Sequence, residues 1–304
     1  MKSRCYFVTA AIVLSLAASA AAALPEPVKT DSGLVSGVPA ATDAVRVFKG
    51  IPFAAPPVGP LRWRAPQPPA RWEGVRKADQ FGARCMQGGG GGGRQGGPPP
   101  QPISEDCLYL NVWTPAAAAS DRLPVIVWSY GGAFTGGSGS LPQYDGEQLA
   151  RKGVIFVTYN YRLGPFGFFA QPEISKEAGH RASGNYGMMD LVAALQWVQN
   201  NIAAFGGDPS RVTLMGESAG GALIETVVAS PHGKGLFRRA ISQSAPVRIE
   251  RLATLEEAEQ SGRQAAEKIG AKSLADLRMK SAEEIQKGLP GGRPIVGGWY
   301  LPDD

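Results

Sequence analysis

Ser218 lies where the sequence changes from a strand pattern to a helix pattern, in the stretch TLMGESAGG at 213–221. Gly216 and Gly220 stand two positions before and after it. In a turn this tight, a side chain at either glycine would collide with neighbouring backbone, and the serine hydroxyl is exposed above the sheet. The spacing therefore predicts a nucleophile for acyl transfer. The alternative is an ordinary serine that caps the helix start.

Attack by such a serine on an ester carbonyl places negative charge on the carbonyl oxygen, and hydrogen-bond donors must stabilise that charge. The backbone N–H of Ala219, directly after the serine, is one candidate donor. A second source is the glycine-rich stretch YGGAFTGGSGS at 130–140, which follows an apolar strand pattern. Gly131, Gly132 and Ala133 lack bulk, so a substrate can approach their amides. The alternative is a flexible turn without function.

A nucleophilic serine also needs a general base, and the chain contains only two histidines. His232 follows the predicted helix 219–229, which at 1.5 Å per residue carries the chain about 16 Å from Ser218. His180 lies in the polar loop KEAGHRASG, where a lone histidine is usually solvated. A base must come within about 3 Å of the hydroxyl. The sequence therefore predicts that the base is missing from these 304 residues.

Buried strands and helices alternate on either side of these candidate residues. Continuous apolar runs predict buried strands at LPVIVWSY, GVIFVTYNYRLG and RVTLM, and FRRAISQSA predicts a fourth strand. Helical spacing marks GNYGMMDLVAALQWVQNNIAAF, AGGALIETVVAS and the region from Leu255. This alternation predicts an α/β fold with a mostly parallel, doubly wound sheet.

The first 23 residues are typical of a secretory signal peptide, which predicts a secreted or periplasmic protein. Lys2 and Arg4 precede an apolar run, and small residues at 21–23 provide a cleavage site near Ala23. Cleavage lowers the net charge of +5 by two, and the remaining basic residues are scattered, so nucleic acid is not an expected partner. No other segment is apolar enough to span a bilayer. No ligand cluster suggests a metal, and no cofactor is expected.

Cleavage of the signal peptide removes Cys5 and leaves Cys85 and Cys107. Two cysteines in an exported chain pair more often than not, although two unrelated buried thiols are the alternative. Between them lies GGGGGGRQGGPPP, which forms neither helix nor strand. A disulfide closing this loop would stabilise the fold by roughly 3 kcal/mol in the chain-entropy model.

Seven motifs, in order, resemble those of the type B carboxylesterases, the family that includes the cholinesterases. They are VFKGIPFAAPPVGPLRW, SEDCLYLNVW, YGGAFTGGSGS, YNYRLGPFGFF, GNYGMMDLVAALQWVQNNIAAFGGDP, VTLMGESAGG and SPHGKGLFRRAISQS. The resemblance implies an α/β-hydrolase that acts on small carboxylic esters through an acyl-enzyme. By it, the nucleophile is Ser218, the oxyanion donors are Gly132, Ala133 and Ala219, and Glu217 is an acidic neighbour. It also implies a Cys85–Cys107 disulfide and an Arg62–Glu105 ion pair.

The chain also departs from the family. Tyr130 stands where many members have histidine, and Gly297 stands where aspartate is usual. Members place the catalytic acid over a hundred residues past the serine and the histidine about two hundred past it, whereas this chain ends 86 residues after Ser218. Residues 24–304 are therefore expected to be the N-terminal portion of the hydrolase domain, with the C-terminal strands missing and RRAISQSA left as an open edge. A non-catalytic binding or adhesion module, or an inactive truncated product, is the alternative.

Overall fold

The computed structural model of the chain describes residues 24, 26–42, 44–88, 101–245 and 252–302. The predicted signal peptide and most of the glycine tract lie outside these described residues. The strands are β1 Val28–Lys29, β2 Leu34–Ser36, β3 Val38–Pro39, β4 Arg46–Pro52, β5 Val75–Lys77, β6 Arg84–Cys85, β7 Ile103–Ser104, β8 Tyr109–Thr114, β9 Leu123–Ser129, β10 Ile155–Tyr159, β11 Gly207–Glu217, β12 Arg239–Gln243, β13 Ala253–Thr254 and β14 Ile295–Val296. The α-helices are α1 Glu147–Ala150, α2 Gly164–Phe168, α3 Pro172–Ala178, α4 Tyr186–Asn201, α5 Ala219–Ala229, α6 Leu255–Lys268, α7 Leu274–Met279 and α8 Ala282–Gly288.

A seven-stranded sheet forms the centre of the fold, with the strand order β12-β11-β9-β10-β8-β4-β3. The four strands from β12 to β10 run parallel to one another, whereas β8, β4 and β3 pair antiparallel. All five residues of β10 are buried, as its apolar pattern predicts, but the strand is shorter than the predicted GVIFVTYNYRLG and ends at Tyr159. Parallel pairing thus occupies the half of the sheet that carries Ser218, and the antiparallel strands build the other half.

Helices cover the sheet between its parallel strands. The long helix α4 buries most of its residues and ends at Asn201, after which one 3-10 turn leads to Gly206 at φ +83°. This left-handed conformation favours glycine and stops the helix where the GGDP stretch predicts a stop. Helix α5 spans the predicted 219–229, and α6 begins with a Thr254–Glu257 capping box. Within the described part of the chain, no helix combines the length and apolarity needed to cross a bilayer.

A buried ion pair joins the end of β10 to helix α4. The guanidinium of Arg162 contacts both carboxylate oxygens of Asp190, at 2.7 to 3.2 Å, and the backbone N–H of Arg162 donates to the same carboxylate. The arginine is 3% exposed and the aspartate 0%. Arg162 Nη1 also donates to the carbonyl of Arg64, so the same side chain contacts the N-terminal region. Breaking such a pair leaves an uncompensated buried charge, so the pair holds the segment after β10 firmly against α4.

Strand β12 lies at the outer edge of the sheet and pairs with β11 alone among the described strands. All five of its residues are exposed, and Ile241 is 42% exposed. The prediction of an open edge strand is confirmed. Edge strands of this kind present unpaired backbone groups to other chains, so the expected tendency to aggregate remains a prediction.

Candidate active site

Ser218 occupies a strained turn between β11 and α5. Its backbone has φ 55° and ψ −122°, a combination that residues with side chains rarely adopt. The turn is held by two hydrogen bonds, from Ser218 N–H to the Gln243 carbonyl and from Ala222 N–H to the Ser218 carbonyl, each 2.9 Å. Its side chain makes no capping hydrogen bond to α5. The serine therefore does not act as a helix cap.

The glycines of the G-x-S-x-G stretch allow β9, β11 and α5 to approach one another closely. A Cβ atom on Gly220 would lie 2.0 Å from the carbonyl oxygen of Ser129, and one on Gly216 would lie 2.6 Å from the same atom. Backbone oxygen cannot move aside as a flexible side chain can. The close approach predicted from the sequence is therefore present, and it brings the two glycines beside Ser218 against the end of β9.

The glycine-rich loop after β9 lies beside the serine. A Cβ atom on Gly131 would lie 3.1 Å from Ser218 Cβ and 2.8 Å from the carbonyl oxygen of Glu217. Ala133 follows at φ 54° and lines the same cavity as Ser218 and Ala219. The structure thus brings the loop and the serine turn together, with Gly132 between Gly131 and Ala133. It places the exposed Glu217 with its carboxylate near Gly131.

Ser218 opens into a cavity of about 860 Å³. Its walls come from the glycine-rich loop, from α2, α5 and α6, and from the segment before β14. Most of the lining is apolar, and two charged side chains, Glu257 and Arg293, also line it. The residues that reach the cavity from the loop and α2 include Phe134, Phe168 and Phe169. A pocket of this size and character suits a small, largely apolar ester.

The disulfide and the ion pair implied by the family resemblance are both present. Cys85 and Cys107 are bonded and buried. Arg62 and Glu105 form a two-point contact, with Nε–Oε2 at 2.7 Å and Nη2–Oε1 at 2.6 Å. Arg62 Nη1 also donates to the carbonyls of Leu277 and Lys280. Because this pair is mostly buried and hydrogen-bonded on both sides, it connects the N-terminal region, the disulfide loop and helix α7.

The structure brings neither histidine into the cavity that holds Ser218. The His232 ring lies 3.9 Å from the Trp299 ring, and its Nε2 is 3.1 Å from the Trp299 carbonyl oxygen. His180 lies 5.2 Å from the same indole. Neither is among the residues that line the cavity. Both positions agree with the expectation that neither histidine serves the serine.

A pair of buried tyrosines beneath the glycine-rich loop was not predicted from the sequence. Tyr130 and Tyr161 stack with ring centroids 4.4 Å apart, and both are fully buried. Tyr130 directly follows β9, and Tyr161 lies two residues past β10. Because parallel neighbours end at the same edge of a sheet, the sequence already held the signal for this contact. In the described segments, no group of three or more histidine, cysteine or acidic side chains is arranged to hold a metal ion.

Comparison with known proteins shows extensive similarity to esterases. Residues 25–291 match the carboxylesterase family. The chain is 46% identical over 281 residues to fumonisin B1 esterase of Sphingopyxis macrogoltabida, covering 90% of this chain and 51% of that protein. It is 44% identical over 263 residues to para-nitrobenzyl esterase of Bacillus subtilis (strain 168), covering 86% and 52%.

Solved structures show the same likeness. A thermophilic PNB esterase aligns with a TM-score of 0.78 at 44% identity, over 86% of this chain and 52% of that one. A carboxylesterase of Geobacillus stearothermophilus, EST55, aligns with a TM-score of 0.75 at 40% identity, over 88% and 55%. The chain therefore spans about half the length of the relatives it matches.

Proposed function

Because this chain belongs to the carboxylesterase family and has its α/β-hydrolase fold, we propose that it carries the acylation centre of a serine ester hydrolase. Ser218 is the nucleophile in this proposal. The oxyanion donors are the backbone amides of Gly132, Ala133 and Ala219. The observation that carries the proposal is the strained backbone of Ser218, at φ 55° and ψ −122°, at the wall of a cavity that Ala133 also lines.

The proposed reaction has two halves. Ser218 Oγ bonds to the ester carbonyl carbon and gives its proton to a base, while the carbonyl electron pair moves onto the oxygen facing the three amides. The tetrahedral intermediate then expels the alcohol, which takes up a proton, and leaves an acyl group on the serine. Water attacks this acyl-enzyme in the same way and releases the acid. Each amide donor is worth about 3 kcal/mol in transition-state stabilisation.

The proposal assigns the general base to neither histidine, because both lie against Trp299 and outside the cavity. Because neither histidine can accept the proton there, a base has to be supplied. Added imidazole, which can diffuse into a cavity of about 860 Å³, is expected to accelerate acylation of Ser218.

The substrate class follows from the cavity walls. Phe134, Phe168 and Phe169 line the cavity that holds the serine, and their apolar surface favours small, largely apolar esters. The names of the relatives, fumonisin B1 esterase and para-nitrobenzyl esterase, agree with ester hydrolysis as the reaction. We also propose that the protein acts outside the cytoplasm, because its first 23 residues are typical of an export signal.

A fluorophosphonate reagent tests the proposal, since only an activated serine reacts with it readily. The 304-residue chain is incubated with the reagent, with and without imidazole, and the modified residue is located by mass spectrometry. We expect modification at Ser218, faster with imidazole, and none in Ser218→Ala. Modification elsewhere, or none under either condition, would contradict the proposal and favour the non-catalytic binding module.

A further inference from the structure

The glycine-rich loop is fastened at its start by Tyr161. The Tyr161 hydroxyl donates to the carbonyl oxygen of Tyr130 at 2.9 Å. The Tyr130 hydroxyl in turn donates to the carbonyl oxygen of Tyr161 and accepts from the backbone N–H of Tyr161, each at 3.3 Å. With their rings stacked, the two side chains bind each other's backbone. Both are fully buried, so water cannot replace these hydrogen bonds.

Holding the Tyr130 carbonyl also holds the amide that follows it. A peptide unit is planar, so the carbonyl of Tyr130 and the N–H of Gly131 belong to one rigid group. A Cβ atom built on Gly131 would lie 3.1 Å from Ser218 Cβ, so the start of the loop lies against the serine. The orientation of the Tyr130–Gly131 peptide therefore influences the position and direction of the next amide in the chain, that of Gly132. The contact beneath the loop therefore acts on the orientation of a proposed oxyanion donor.

The far end of the loop is fastened by Gln87. Its Nε2 donates to the carbonyl of Gly137 at 2.9 Å, and its Oε1 accepts from the N–H of Gly137 at 3.1 Å. The same Nε2 lies 2.9 Å from the carbonyl of Cys85, one partner of the disulfide. Gln87 is only 5% exposed. Because one amide group satisfies both backbone groups of a single glycine, it fixes that residue in place and in orientation.

The loop also closes on itself between these two points. The carbonyl of Gly132 accepts hydrogen bonds from the N–H groups of Thr135 and Gly136, at 3.0 and 3.1 Å. Fixing the two ends therefore leaves the intervening amides little freedom. Burial raises the pKa of both tyrosines well above its ordinary value, so both hydroxyls stay protonated and able to donate.

We propose that Tyr161 and Gln87 are positioning residues of the ester hydrolase, each fastening one end of the glycine-rich loop so that its amides face the developing oxyanion. This inference rests on the proposed function. A purely structural role predicts that losing either contact lowers stability and slows every reaction of Ser218 equally. A positioning role predicts a selective loss in reactions that need the amides.

A pair of organophosphorus reagents separates these roles. Diethyl p-nitrophenyl phosphate presents a phosphoryl oxygen to the amides, and its phosphorothioate analogue presents sulfur, a weak hydrogen-bond acceptor. With either reagent, Ser218 Oγ bonds to phosphorus, its proton passes to added imidazole, and p-nitrophenolate leaves with the electron pair of its bond. The absorbance of p-nitrophenolate gives the rate constant for each reagent. The rate constant for the phosphate divided by that for the phosphorothioate, the oxygen-to-sulfur ratio, measures how well the amides are oriented towards the oxyanion.

The variants are Tyr161→Phe and Gln87→Leu, with Tyr159→Phe as matched control. Tyr159 is equally buried in the same cluster, but its hydroxyl pairs with the Ser129 side chain, at 2.7 Å, rather than with the loop backbone. We expect each of the first two variants to lower the oxygen-to-sulfur ratio about tenfold, since displaced donors lose part of their effect. The control is expected to keep the ratio of the unmodified protein.

Each outcome decides the question. An unchanged ratio in a folded Tyr161→Phe or Gln87→Leu protein overturns the inference while leaving the proposed function intact. Should Tyr161→Phe fail to give a cooperative thermal transition, Gln87→Leu decides alone, since its side chain contacts the loop from outside the sheet. If the unmodified chain reacts with neither reagent in the presence of imidazole, the proposed function fails and this inference falls with it.

Discussion

Replacing Ser218 by glycine is expected to give a more stable protein than replacing it by alanine, although both changes remove the nucleophile. The backbone of Ser218, at φ 55° and ψ −122°, matches the first central position of a type II′ turn, which glycine dominates. A residue with a Cβ atom held there stores about 1–3 kcal/mol of strain. Glycine relieves that strain. Alanine, which also lacks the hydroxyl, keeps it.

The expected gain is smaller than the strain itself, because glycine also stabilises the unfolded chain. Its additional backbone freedom costs about 0.4–1 kcal/mol on folding relative to alanine. Subtracting this from the strain leaves Ser218→Gly more stable than Ser218→Ala by about 1 kcal/mol. For a chain of this size the difference corresponds to about 2 °C in melting temperature.

Urea unfolding followed by tryptophan fluorescence measures this difference, with both variants made in the same chain. Comparing glycine with alanine isolates the backbone effect, since neither variant has a hydroxyl. Fluorophosphonate modification, absent in both, confirms that the site is disabled equally. If Ser218→Gly were as stable as Ser218→Ala or less stable, the turn would not be strained, and the main support for a nucleophile would be lost.

Three further changes test other contacts. Gly220→Ala is expected to lower the free energy of unfolding by at least about 2 kcal/mol, because the new Cβ would lie 2.0 Å from the Ser129 carbonyl oxygen; an unaltered urea midpoint would refute that close approach. In the same assay, Glu105→Gln is expected to lower the free energy of unfolding by about 3 kcal/mol. The change removes the counter-charge of Arg62, whose charged side chain is only 6% exposed. A hydrogen bond from the Arg278 side chain lowers the pKa of Glu177 from 4.5 to about 2, so the stability that this carboxylate contributes is complete above pH 4.5 and is lost as pH falls towards 2. Glu177→Gln should therefore flatten the acid limb of a melting-temperature profile, and an unchanged limb would show that the contact contributes nothing.

The turn, the loop and the alternation of strands and helices around Ser218 could be predicted because each rests on local signals. The apolar run before Ser218, the glycines beside it and the helical pattern after it all act within ten residues. Helix α5 accordingly has the predicted bounds, 219–229. The start of β11 was not predicted, since the strand begins at Gly207 rather than Arg211. The pairing of β11 with β9 continues across a register irregularity between Gly207 and Val212. Pairing of this kind is not visible as a periodic pattern of apolar residues in the sequence.

Contacts between distant parts of the chain were harder to predict. The Arg162–Asp190 pair depends on how α4 packs against the end of β10, and nothing in the spacing of the two residues indicates it. The Tyr130–Tyr161 stack could have been predicted from two strands that end together. The contacts of Gln87 could not have been, because they depend on the path of the disulfide loop.

The amide of Ser218 donates to the carbonyl of Gln243, at the last residue of the outermost strand. Strands with one neighbour and exposed side chains fray more readily than central ones. When the end of β12 frays, the serine turn loses one of its two backbone ties while the rest of the sheet stays folded. Heat inactivation is therefore expected to begin below the cooperative melting transition. A chain that pairs with the outer side of β12 would suppress this fraying and so influence the site without entering its cavity.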